Sequence, residues 1–138
     1  MLDLKPTKLE GNVTIEKDYD ETIIVPRYTI LTIHGTTNRN ISVEGGTVVL
    51  HGVANRINVF CGEVNVEIDG HCDSIYCGTT GSTVNIQGCV REVYACRGAK
   101  VLAQSYSNIV RICDDGAQVS IHGHAHVVEL NKITKAGS

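Results

Sequence analysis

Tryptophan is absent from this chain of 138 residues, methionine and phenylalanine occur once each, and proline occurs twice. With so few large side chains, a core has to be built from aliphatic residues. No segment reaches the roughly 18 uninterrupted apolar residues of a membrane helix, and MLDLKPTKLEG at the start has no apolar run of the signal-peptide kind. The expectation is a soluble, cytoplasmic protein with no membrane partner. Basic charge is not in excess either: the formal net charge is −3, so no positive field gathers phosphate, and nucleic acid is not an expected partner. The six cysteines show neither C-x-x-C nor the paired spacing of a zinc ribbon, which favours reduced thiols over a disulfide framework. G-x-S-x-G, a phosphate loop and H-E-x-x-H are all missing. The chain therefore reads as no enzyme, and no cofactor is expected.

What the sequence does contain is a repeat. Apolar-x-apolar triplets begin at Val13, Leu31, Val48, Val66, Val84, Val101 and Val119, the fourth being Val66-Glu67-Ile68. A second set begins at Ile23, Ile41, Ile57, Ile75, Val93, Val110 and Val128. Successive members of each set lie 16 to 18 residues apart. Two residues past most of the first set stands a glycine (Gly35, Gly52, Gly70, Gly88 and Gly123), with Lys17 and Ser105 as the exceptions.

Alternation of period two sends the outer residues of each triplet to one face of a strand, and a fixed repeat stacks like on like in the next coil. Glycine suits the corner, where the chain bends and positive φ is available to it. The predicted fold is all-β: a single-stranded β-solenoid of about seven coils of 16–18 residues over 11–131. Residues 1–10 form an N-terminal cap segment, in which Leu2, Leu4 and Leu9 fold over the first coil, and 132–138 form a flexible C-terminal tail. Pro26 suits an edge position, where one amide need not donate. Cys72 and Cys77 fall in inward columns as small core hydrophobes.

Two other solenoids with repeats of similar length do not fit. A hexapeptide acyltransferase pattern counted from Ile68 would place Ser74, Thr80 and Glu92 in the core, and the G-G-x-G-x-D turns of calcium-binding rolls do not occur. In its triplet spacing the chain resembles the bactofilins, bacterial polymer-forming proteins. That resemblance implies a short right-handed β-helix that associates end to end without nucleotide. The chain lacks the long proline-rich tails common among them.

With the core assigned, function belongs to the outward columns. The middles of the second set bring Tyr76, Tyr94 and Arg111 to one side of neighbouring coils, with Phe60, Cys96 and Cys113 beside them. Phe60, Tyr76, Tyr94 and Arg111 are the candidate binding residues for a partner protein, as an interaction or inhibitor module. The alternatives are a self-assembling, bactofilin-like homo-oligomer and a metal-binding protein. For the last, His122, His124 and His126 alternate outward near the C-terminal end, and histidines two apart on an extended strand can chelate one ion. His34 and His51 stack in adjacent coils.

Overall fold

The computed structural model describes residues 7–78, 81–96, 98–104, 109–112, 116–122 and 126–129. Fourteen strands and no helix are found there. In chain order they are β1 (Thr7–Lys8), β2 (Asn12–Ile15), β3 (Asp18–Tyr19), β4 (Ile23–Pro26) and β5 (Ile30–Ile33). Two long strands follow, β6 (Thr36–Leu50) and β7 (Val53–Val66), each running around corners of the coil. The remainder are β8 (His71–Cys77), β9 (Ser82–Ile86), β10 (Cys89–Ala95), β11 (Lys100–Ala103), β12 (Ile109–Ile112), β13 (Gln118–Ile121) and β14 (His126–Glu129).

Every pairing is parallel, and together they make a β-solenoid with three faces. The first face stacks β2, β5, the ends of β6 and β7, then β9, β11 and β13. A short second face carries β3, Thr36–Thr37, Val53–Ala54, His71–Cys72 and Cys89–Val90. The third face runs β1, β4, β6, β7, β8, β10, β12 and β14. Among the described residues the first face has seven rungs, one for each coil expected, and about six turns lead from the first to the last. At about 4.8 Å per step the stack is roughly 29 Å long.

The core sits inside the three faces. Ile23, Ile41, Ile57, Ile75, Val93 and Val110 stack with no exposed surface, and Leu31, Val48, Val64 and Val84 do the same on the first face. Burying each of these side chains favours the fold by about 1.5–3 kcal/mol relative to leaving it exposed. Thr37, Ala54, Cys72 and Val90 fill the second face. Leu9 packs against the first coil, as expected of it, and Leu2 and Leu4 lie outside the described residues. Although β4 lies between β1 and β6, the β1 pairing stops at Lys8 against Ile24, so Pro26 has no strand partner on that side and fits the edge-like place expected of it; against β6 the register shifts at Pro26, opposite Glu44 and Gly45.

Two triplets differ from the sequence reading. The rung between Val48 and Val84 is Val64-Asn65-Val66, paired with Val48-Val49-Leu50 below and Val84-Asn85-Ile86 above. Ile68 is 83% exposed. Four positions separate Leu50 from Ala54 and Ile86 from Val90, but six separate Val66 from Cys72, so Ile68 and Asp69 are a two-residue insertion at the tip of a corner turn. Gly70 N–H closes that turn onto Glu67 O at 2.8 Å. At the far end β14 aligns Val127, not Val128, with Val110.

The corner glycines are needed for room, not for positive φ. An added Cβ at Gly35, Gly52, Gly70 or Gly88 would lie 2.0 to 2.4 Å from a carbonyl oxygen of the preceding coil, and none of the four has φ in the left-handed range. Positive φ belongs to a different column, at the corner leading into the first face, occupied by Gly11, Gly45, Gly62, Gly81 and Gly98.

Candidate interaction surface

On the third face, parallel register places Tyr76 beside Tyr94 and Tyr94 beside Arg111. Because all three are the middle residues of inward-facing triplets, they point outward together. The two phenol rings stack at 5.7 Å between centroids and 26° between planes. The Arg111 guanidinium carbon lies 5.9 Å from the Tyr94 centroid, a cation–π distance. Tyr76 is 46% exposed and has Asn58 in register below it; Phe60, 51% exposed, lies two positions further along β7 from Asn58 and is not in the stack. Beneath Phe60 the Ser82 hydroxyl reaches the Val59 and Phe60 carbonyls at 3.2 and 3.3 Å, which fixes the corner. The Cys96 thiol lies 3.9 Å from the Tyr76 hydroxyl. Cys113 lies outside the described residues.

Arg111 is held in place by Glu92, a residue the repeat reading did not single out. Arg111 Nε donates to Glu92 Oε2 at 2.7 Å, Arg91 Nη2 to Glu92 Oε1 at 2.9 Å, and Arg91 Nε to Asp73 Oδ1 at 2.7 Å. Glu92 is only 8% exposed. The Arg111 hydrogen bond, followed by the charges of Arg91 and Arg111, holds its carboxyl below the usual range despite partial desolvation. Arg91 does the same for Asp73. The guanidinium over Tyr94 is therefore fixed by a charge-assisted network two coils deep. The one sequence sign of it was a carboxylate directly before an inward valine, Glu92-Val93, where Ser74-Ile75 stands one coil below.

No protein-family model, curated protein or solved structure matches this chain. The residues must therefore be read by their own chemistry. Of the histidine trio, His122 is exposed at the end of β13, His126 begins β14 beside Ile109, and His124 lies outside the described residues. Among the described residues no group of three or more His, Cys, Asp or Glu could hold a metal ion. His34 and His51 stack as expected, at 4.8 Å and 10°, and His51 Nδ1 meets Asp69 Oδ1 of the inserted turn at 3.0 Å. That contact lowers the Asp69 pKa. No helix among the described residues is long and apolar enough to cross a membrane.

Cys61, Cys72, Cys77, Cys89 and Cys96 are free thiols. Burial pushes both the Cys72 and the Cys77 thiol up to about 12. At pH 8, native protein treated with iodoacetamide should label at the partly exposed Cys61, Cys89 and Cys96, while Cys72 and Cys77 stay unmodified until denaturant is added. Peptide mass mapping reads this out. Early labelling of Cys77 would mean that the third face opens on its own.

Proposed function

We propose that this β-solenoid is a non-enzymatic protein-interaction module that binds a partner protein through the wall of Phe60, Tyr76, Tyr94 and Arg111. The observation that carries the reading is the axial stack itself. Tyrosine and arginine are the residue types that dominate protein contacts, and here they are ordered before any partner arrives. The stack also favours protein over sugar or nucleobase as ligand. Tyr76 turns one face to Tyr94, and Tyr94 turns its other side to Arg111, so Tyr94 offers its edge and hydroxyl more than an open face. Bases bind by stacking on open faces. Edges and hydroxyls suit the mixed apolar and polar centre of a protein interface.

Affinity capture from the source cells, with wild-type protein beside the Tyr76→Ser/Tyr94→Ser double variant, tests this. The expected result is a partner band that disappears with the double variant at an unchanged melting temperature. Equal capture by both would end the reading.

A second reading, self-assembly end to end in the manner of the bactofilins, is favoured by the two ends. Among the described residues β2 pairs only with β5, and β13 only with β11. A hollow of about 410 Å³ at the first coil is lined by Leu9, Val13, Ile15 and Tyr19 among others. Strands β2 and β13 read Asn-Val-Thr-Ile and Gln-Val-Ser-Ile, a match in polar and apolar order that would continue the ladder from one molecule to the next. Filaments in electron micrographs at raised concentration would favour this reading over the first.

A further inference from the structure

The corner leading into the first face repeats a left-handed backbone at Gly11, Gly45, Gly62, Gly81 and Gly98, with φ from 67° to 114°. One coil breaks the rule. Tyr28 occupies that place with φ 67°, the one non-glycine residue in this conformation among the described residues. It is the third residue of a turn closed by Thr29 N–H on Pro26 O at 3.2 Å, a position where glycine is the default. No burial compensates for the strain, because Tyr28 is 89% exposed. Strain of this kind persists where the residue has a use.

Directly beside Tyr28 is a hollow of about 610 Å³, lined by Lys8, Glu10, Gly11, Pro26 and Arg27 as well as Tyr28 itself. Knob and hole thus lie on one patch. Such a patch is self-complementary under a twofold axis, since each copy offers what the other lacks. Charge is matched in the same way: the hollow has the carboxylate of Glu10 and the guanidinium of Arg27, both exposed and without an ion pair among the described residues. Ile30, 43% exposed on the adjoining strand, adds apolar surface.

We propose that this corner joins two copies of the chain in a closed dimer. Tyr28 of each copy seats in the hollow of the other, and Arg27 of each meets Glu10 of the other. The contact is distinct from the aromatic wall and from strands β2 and β13; it is compatible with the first reading of the function and, over the concentrations of the test, not with the second.

Sedimentation equilibrium of the purified chain at roughly micromolar to hundred-micromolar concentration tests it, a range suited to a small interface. The mass should rise from one chain toward two and stop there. Tyr28→Gly should raise the dissociation constant at least tenfold without lowering the melting temperature, because glycine is what the other coils use at this place. Glu10→Arg and Arg27→Glu should each weaken the dimer, and the double exchange should restore it. A single-chain mass throughout, growth beyond two chains, a Tyr28→Gly dimer as tight as wild type, or no restoration by the exchange would each overturn the proposal.

Discussion

Gly52→Ala is expected to destabilise the solenoid by about 3–5 kcal/mol, the upper range for a single substitution, and to lower the melting temperature by about 10 °C or more. The new Cβ would sit 2.0 Å from Gly35 O and 2.6 Å from His34 O. Neither oxygen is at the end of a flexible side chain. Gly35 O accepts the Val53 amide at 2.9 Å, and Gly52 O in turn accepts the His71 amide at 2.8 Å, so relief on one side pulls on the ladder above and below. Stacked coils have no slack at this corner, because parallel register fixes the rise at about 4.8 Å per step. Gly78→Ala is the control. Among the described residues its Cβ would meet only the Tyr76 ring, at 3.5 and 3.7 Å, and its φ lies outside the left-handed range. Thermal melts of the two variants side by side decide the matter: a Gly52→Ala melting point within a degree or two of Gly78→Ala would show that the coil corner yields more than its geometry implies.

That the corner glycines recur was legible in the sequence; why they recur was not. Spacing alone cannot tell a residue that needs positive φ from one that needs an empty Cβ position, and the structure puts those needs in separate columns. The left-handed column was harder to see, since Tyr28 interrupts it near the start and a turn residue carries no alternation to mark it. The aromatic wall was legible for a simple reason. Tyr76, Tyr94 and Arg111 occupy equivalent places in triplets whose register the sequence reading placed correctly. Glu92 was not, because its role depends on a diagonal contact with Arg111 across two rungs, and a column-by-column reading compares only residues directly above one another.

The last expected result turns on the one first-face rung that the repeat misassigned. Val66-Glu67-Ile68 has the same apolar-polar-apolar order as Val64-Asn65-Val66, and Gly70 stands two residues past it as Gly88 stands past Ile86, so sequence spacing prefers the wrong frame. Backbone pairing decides it: a two-residue insertion moves Ile68 to the turn tip, while Ile86 remains fully enclosed between Val66 and Ala103. Ile86→Ala should therefore cost about 2–5 kcal/mol, since the removed atoms leave a cavity in a column whose neighbours are fixed by register and cannot collapse into it. Ile68→Ala should change stability by no more than about 0.5 kcal/mol, as for an ordinary surface position. Urea unfolding of both variants at a common slope gives the difference directly. If Ile68→Ala proved the costlier of the two, the pairing of β7 with β9 would be wrong, and the third-face alignment that places Tyr76 against Tyr94 would need to be re-established by other means.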